Sequence, residues 1–284
     1  GNPQMVFSLE ACIDQVGEIL GISPIEIRLK NAIRQGETSI HGWEMKSCGL
    51  IDCIQKAADA FQWQGFEGKN QNSRAELLDG QSFIRRGLGI ACAVHVSGNR
   101  VHMDWDGANA EIRIREDGRA ALAIGEGDIG QGANTVLAMI VAEELGFSIE
   151  DVDLSVADTD HTPLGFGARA SRLTFIAGNA VRKAASRAKK EILNLAASRL
   201  EVSSEDLKIQ DGHVFVVGTQ EKGLSVKTLI EDSVCSPGWE PILVRATYDP
   251  PSVMADTTRY GNVAAAYTFT AQVAEVEVDL ETGR

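Results

Sequence analysis

A chain of 284 residues, 44% hydrophobic and 24% charged, has the make-up of a soluble globular protein able to bury a substantial core. Its 40 acidic residues outweigh 27 basic ones to a formal net charge of -13, which repels nucleic acid and anionic lipid, so neither is an expected partner. No apolar run reaches the roughly 18 residues of a membrane span, and Gly1-Asn2-Pro3-Gln4 carries no secretory pattern, so a cytoplasmic location is expected.

The opening reads as helix. Asn2 is a candidate N-cap with Pro3 at the first helical position, and Met5, Leu9, Ile13, Val16 and Leu20 recur at helical spacing until Gly21 stops the run. Ser23-Pro24-Ile25-Glu26 has the form of a capping box for a short second helix through about Asn31. A third helix follows Cys48-Gly49, with Leu50, Ile54, Ala57 and Phe61 on one face. Residues 65–81 are polar and rich in Asn, Gln and Gly, the composition of a linker.

Strand patterns come next. Leu88 to Ser97 is apolar and β-compatible; Glu111 to Arg115 alternates strictly; Glu116-Asp117-Gly118 supplies a tight turn, read as a two-residue Asp-Gly hairpin; and Ala120 to Ile124 returns as a second strand. A glycine-rich turn follows, then a helix from Asn134 or Thr135 to Leu145, a strand Val152–Val156, and a long loop from Asp158 to Ser171. A long Ala-rich helix runs from Thr174 to Leu200, with Arg182, Lys183, Arg187, Lys189 and Lys190 on its solvated face. A hairpin around Asp211-Gly212 and a strand region from Tyr267 to Asp279 close the pattern. The expected class is α+β: a mixed, largely antiparallel sheet with packed helices, preceded by a small helical region. The expected division is a helical segment and linker over 1–80 and an α+β region over 81–284.

The five cysteines form no C-x-x-C, so no zinc ribbon or iron–sulfur cluster is signalled and reduced thiols are expected. The chain starts without Met and stops in a turn, Glu281-Thr282-Gly283-Arg284, that should lead into another strand. It is therefore expected to be a piece of something longer.

Gly125-Glu-Gly-Asp-Ile-Gly130 matches the dinucleotide fingerprint G-x-G-x-x-G. Its setting contradicts that reading. A Rossmann first strand is parallel and covered on both faces, whereas the strand before these glycines returns antiparallel through a tight turn. The acidic residue due about 20 positions later is also misplaced, since Asp153 falls inside a strand and Asp158 comes too late. What survives is the physics of Gly130-Gln131-Gly132 before a helix start, where free N–H groups and the helix dipole favour an anion. The plainer reading is a tight strand-to-helix turn capped by Asn134 or Thr135.

A second loop resembles the first. Gly165 to Thr174, "GFGARASRLT", also feeds a helix start, and Arg169 and Arg172 would bring charge to a polyanionic ligand, with hydroxyls from Ser171 and Thr174. Asp158 and Asp160 beside His161 fit a self-capped turn. His95 and His102 flank a turn, where surface or core roles suit them best.

Taken together, "IGQGANTVLAMIVAEELG", "DTDHTPLGFGARASRLTFIAGNAV" and "AYTFTAQVAEVEVDLETG" resemble the molybdenum-binding subunit of the xanthine oxidase family of molybdenum hydroxylases. The opening Gly1-Asn2-Pro3-Gln4 is similar to the end of that family's Arg-Gly-Phe-Gly-x-Pro-Gln segment, and "MKSCGLIDCIQKA" is most like the 4-hydroxybenzoyl-CoA reductase and aldehyde oxidoreductase branches. The resemblance implies a molybdenum hydroxylase acting on a carbon of an aromatic, heterocyclic, aldehyde or aryl-CoA substrate, by hydroxylation or reductive dehydroxylation. It implies that Gly130, Gln131 and Gly132, with Asn134 and Thr135, contact molybdopterin in its cytosine dinucleotide form, and that Ala170, Ser171, Arg172 and Thr174 approach it from the second loop. It also implies iron–sulfur clusters and FAD on partner subunits or missing domains, an oligomeric assembly, and a small-molecule substrate. No protein residue is expected to bind molybdenum directly. The family's base is a glutamate in a Gly-x-Gly-Glu setting, expected beyond Arg284, and Glu126 only mimics that motif, so the piece alone is expected to turn over nothing. The rival reading is a scaffold or oligomerisation domain that keeps the fold without cofactor.

Overall fold

The computed structural model describes residues 2–63, 83–258 and 260–284, and for 220–222 the backbone alone. The expected linker at 65–81 therefore lies outside the described residues. In chain order the elements are α1 (Asn2–Leu20), α2 (Pro24–Asn31), α3 (Leu50–Ala60), β1 (Ile84–Val96), β2 (Ala108–Ile114), β3 (Ala120–Ile124), α4 (Ala133–Leu145), β4 (Val152–Val156), a π-helical turn (Leu173–Ala177), α5 (Gly178–Leu200), β5 (Leu207–Gln210), β6 (His213–Val216), β7 (Thr219–Ser225), α6 (Val226–Val234), β8 (Leu243–Tyr248) and β9 (Tyr267–Asp279). The class is α+β, as expected, with the strands divided among three sheets.

The chain forms two compact units, one of residues 1–96, 256–262 and 266–284, the other of 97–255 and 263–265. In the first, β1 pairs antiparallel with β9 from Ile84↔Asp279 to Val96↔Tyr267. Alternate residues of the pair, including Ile90, Val94, Phe269 and Val273, pack with Leu50, Ile54 and Ala58 of α3, as the period of two requires. Ser23 caps α2 as expected, its Oγ accepting the Glu26 N–H at 3.1 Å. The helix α1 stands as expected, with one reading corrected and one feature added. Asn2 is the first residue of the helix and not its cap, and of the apolar stripe Met5 (70%) and Leu9 (61%) are exposed while Ile13 is half-buried. The buried positions are Glu10, which takes a hydrogen bond from Arg28 Nε at 2.8 Å, and Gly17, where a Cβ would stand 3.1 Å from the Ile22 carbonyl oxygen. A specific ion pair and a close backbone approach thus set which side of α1 turns inward.

In the second unit a four-stranded sheet has the order β4-β3-β2-β8. The β2–β3 and β2–β8 pairs are antiparallel; β3 and β4 are parallel, and α4 supplies the crossover such a pair demands. The β2–β3 connection has a three-residue loop in place of the expected two: Gly118 N–H donates to Arg115 O at 2.9 Å, and Gly118 sits at φ +81°, the left-handed closing position of that loop. Ala180, Val181, Ala184, Ala185, Ala188, Ile192 and Ala196 form the buried face of α5, which packs on β2, β8 and α4. Its small side chains let the helix lie close to its neighbours. The hairpin β5–β6 turns at Asp211 and Gly212, both left-handed, as the two-residue Asp-Gly turn predicts. The sequence reading passed over strand β7, helix α6 and strand β8, although α6 has a capping serine at 225 and buries Val226, Leu229 and Ile230 on one face.

Candidate functional site

All the candidate residues lie in the second unit, on two loops that each leave a strand and enter a helix. The first begins where β3 ends at the buried Ile124. Gly130 and Gly132 have φ of +106° and +79°, and a Cβ on either would meet nothing within 4 Å. These glycines serve backbone conformation and leave the turn open to approach. Gly132 is the N-cap of α4, without a side-chain cap, so the expected capping by Asn134 or Thr135 is corrected. The cap is Asp128, whose carboxylate accepts the N–H groups of Gly130 at 2.7 Å and Asn134 at 3.1 Å. Those backbone bonds, Gly130's foremost, hold the Asp128 carboxyl below the ordinary aspartate range. Gln131 is exposed and its Oε1 accepts the Ile129 N–H at 2.7 Å. Thr135 is exposed one turn on, while Asn134 is half-buried with its Oδ1 unpartnered among the described residues.

The second loop ends in a tight turn. Arg172 N–H donates to Arg169 O at 3.1 Å, and the two central residues, Ala170 and Ser171, are both left-handed at φ 47° and 50°. Neither is glycine, so each holds a conformation costing roughly 1–3 kcal/mol that the surroundings must impose. Gly98 N–H pins Ala170 O at 2.7 Å. Ser171 and Thr174 are exposed and Ala170 is half-buried. The following five residues are π-helical, a rare geometry concentrated at functional sites.

Arg172 departs from expectation. Its side chain was to offer charge to a ligand, yet it is completely buried and its donors are engaged within the protein. Nε donates to Asp106 Oδ1 at 3.0 Å, Nη1 to Glu126 Oε1 and Nη2 to the Gly107 carbonyl. Arg169 also donates to Asp106 Oδ1, at 2.8 Å, and both guanidinium groups stand 5.8 Å from the Phe166 ring centroid. Two cations thus face two carboxylates, which makes burial of the charges tolerable.

The loops touch at their bases. A Cβ on Gly125 would come within 2.1 Å of Pro163 O, and one on Gly165 within 2.4 Å of the Gly125 carbonyl carbon. Only paired glycines permit that approach. Asp158 accepts the Asp160 N–H and His161 Nδ1, each at 3.0 Å, so this acidic turn caps itself. His95 is registered opposite Thr268 in the β1–β9 pair, and His102 is exposed. Sequence reasoning missed Asp106 and Asp128 and set Glu126 aside. Asp128-x-Gly130 before a helix is a legible capping signal; the ionic role of Asp106 has no local signal, because its two arginine partners stand 63 and 66 residues away.

The residues fit a molybdopterin in kind: open glycine backbone, an exposed amide at Gln131, and exposed hydroxyls at Thr135, Ser171 and Thr174. Among the described residues no cluster of three His, Cys, Asp or Glu stands ready to hold a metal ion, and no helix is long and apolar enough to cross a membrane.

The chain is similar to several known proteins. The xanthine dehydrogenase molybdenum-binding subunit of Escherichia coli O157:H7 is 38% identical over 240 residues, which is 84% of this chain and 31% of that protein. The carbon monoxide dehydrogenase large chain of Afipia carboxidovorans is 28% identical over 292 residues, covering 99% of this chain and 35% of that protein. Among solved structures, the reconstituted CO dehydrogenase from Oligotropha carboxidovorans superposes with a TM-score of 0.80 at 27% identity over 99% of this chain and 35% of its own. Quinoline 2-oxidoreductase from Pseudomonas putida 86 does so with 0.77 at 26%, over 98% and 35%. The chain thus spans about a third of the length of these relatives. Residues 56–284 match the molybdopterin cofactor-binding domain, and the chain belongs to that family.

Proposed function

We propose that residues 1–284 are part of the molybdopterin-binding subunit of a molybdenum hydroxylase, and that the two loops hold the pterin cofactor. The observation that carries this reading is the division of labour in the second loop: the Ser171 hydroxyl stands outward on a strained turn while Arg172, directly behind it, is tied wholly inward. A turn of that kind is held for what it presents. Gln131, Thr135, Ser171 and Thr174 would present neutral hydrogen-bonding groups to the pterin, and Gly130 and Gly132 would let it lie against the backbone. When bound, the molybdenum cofactor supplies the two-electron redox chemistry of hydroxylation or reductive dehydroxylation at a carbon centre. No residue within 1–284 is assigned as the base.

The finer reading follows from the resemblance. The cofactor is the cytosine dinucleotide form; iron–sulfur clusters and FAD sit on partner subunits or other domains of a cytoplasmic, oligomeric assembly; and the substrate is a small aromatic, heterocyclic, aldehyde or aryl-CoA compound. Placement near the 4-hydroxybenzoyl-CoA reductase branch rests on "MKSCGLIDCIQKA" alone. One observation favours the rival, a scaffold without cofactor: Asp128 already occupies N–H groups at the start of α4 that an anion would need.

The full-length protein, produced with its partner subunits, is assayed for molybdenum and nucleotide per polypeptide, in wild type and in Gln131→Ala. The expected result is a stoichiometric load in wild type and a loss of about tenfold in the variant, the scale of one lost amide contact to a charged group. A metal-free wild type supports the scaffold; an unchanged load in Gln131→Ala removes the first turn from the site.

A further inference from the structure

We propose that Glu126, Asp106 and Arg172 are positioning residues, whose buried ion network sets the Ala170–Ser171 turn in the geometry that presents it to the cofactor; this rests on the functional reading above. Arg172 and Glu126 are both 0% exposed and Asp106 is 1% exposed. Each member reaches a different segment. Glu126 stands at the base of the first glycine turn, Asp106 in the segment before β2, and Arg172 at the head of the π-helical turn. Asp106 fills both oxygens, Oδ1 with Arg169 and Arg172, Oδ2 with the Asn99 N–H at 2.7 Å. Gly98, beside Asn99, donates to Ala170 O. The turn is therefore gripped at both ends and at its centre.

Stability alone is a poor reason for this network. Buried ion pairs are close to neutral against well-packed apolar residues of the same volume, and this one leaves Glu126 Oε2 buried without a hydrogen-bond partner among the described residues. What apolar packing cannot supply is direction. Two consecutive non-glycine residues at positive φ persist only where fixed bonds over-determine them, and the network supplies bonds of defined direction on either side.

The test uses the full-length protein with its partner subunits in four forms: wild type, Glu126→Leu with Arg172→Met, Glu126→Gln, and a core control, Leu122→Ala. Three quantities are read: melting temperature, hydrogen-exchange protection of amides 165–172, and molybdenum per polypeptide. The apolar double variant is expected to melt near wild type yet lose about tenfold in loop protection and in molybdenum, whereas the control melts earlier and keeps both. Should the double variant fail to accumulate, Glu126→Gln, which keeps an acceptor and removes the charge, is expected to lose loop protection and molybdenum in the same direction. Retention of both in whichever variant folds overturns the proposal, as does a control whose molybdenum falls in step with its melting temperature. A wild type without molybdenum defeats the functional reading instead, and loop protection still decides whether the network positions the turn.

Discussion

Glu126, two residues beyond β3, and Arg172, just before the π-helical turn, stand 46 residues apart in sequence and form an ion pair in which neither side chain touches solvent. The pair draws together the bases of both candidate loops, at the level where Gly125 and Gly165 meet backbone to backbone. A change in either residue is thus felt in both loops.

Arg172→Ala strands the buried Glu126 carboxylate and leaves Asp106 with Arg169 alone, and the expected loss is about 3–5 kcal/mol in denaturant unfolding. Arg113→Ala, which breaks a pair with Glu116 in which both side chains are about half exposed, serves as the comparison and should leave the midpoint where it was. Equal effects from the two substitutions would contradict the assignment of Arg172 to the core.

Gly125→Ala and Gly130→Ala separate two uses of glycine. At Gly125 a methyl meets Pro163 O at 2.1 Å, so the loops must part, and a loss of about 1–3 kcal/mol with faster amide exchange across 164–166 is expected. At Gly130 there is open space and only the φ of +106° resists, so a smaller loss confined to the first turn is expected. Exchange spreading to 164–166 in Gly130→Ala would show that the loops are coupled by another route.

Acid should release the first turn late. The Asp128 carboxyl is held below its ordinary value by the Gly130 and Asn134 N–H groups, so the folded state favours the ionised form. Its contribution is complete above the unfolded value of about 3.9 and is lost as pH falls through the lower folded value. A carboxyl-carbon NMR titration should place the midpoint below about 3.9, with amide protection at Gly130 and Asn134 fading in the same window. A midpoint at or above that value rules out the cap.

Thiol labelling should sort the cysteines. Burial, with the nearby Glu10 carboxylate, pushes the Cys92 thiol up to about 11, whereas Cys12 and Cys235 are exposed. At pH 8 only about one Cys92 in a thousand is thiolate, so alkylation of the native protein should modify Cys12 and Cys235 first and spare Cys92. Early labelling of Cys92 would mean that β1 is not packed as described.

Much of the fold was legible in the chain. Strict alternation from Glu111 to Arg115, the Asp211-Gly212 turn and the capping serine at 23 each lie in local geometry, and each reappears in the structure. The stripe Met5, Leu9, Ile13, Val16 and Leu20 marked the helix but not its buried face, because period reveals a helix and not which neighbour covers it; Glu10 and Gly17 are the residues turned inward. Strands β7 and β8 escaped notice because short strands owe their form to packing, whereas α6 was legible from Ser225 and the spacing of Val226, Leu229 and Ile230.

At the site, the sequence by itself determined that two glycine-bearing loops precede helix starts and that Gln131, Ser171 and Thr174 stand at those starts, since glycine spacing and helix punctuation are local properties of the backbone. Only the tertiary structure decided where the charges go. Arg172 reads as a ligand-binding cation until Asp106 and Glu126, distant by 66 and 46 residues, are brought beside it. A guanidinium desolvated in the core must find its partners there, and nothing in the neighbouring residues of the chain records which those will be.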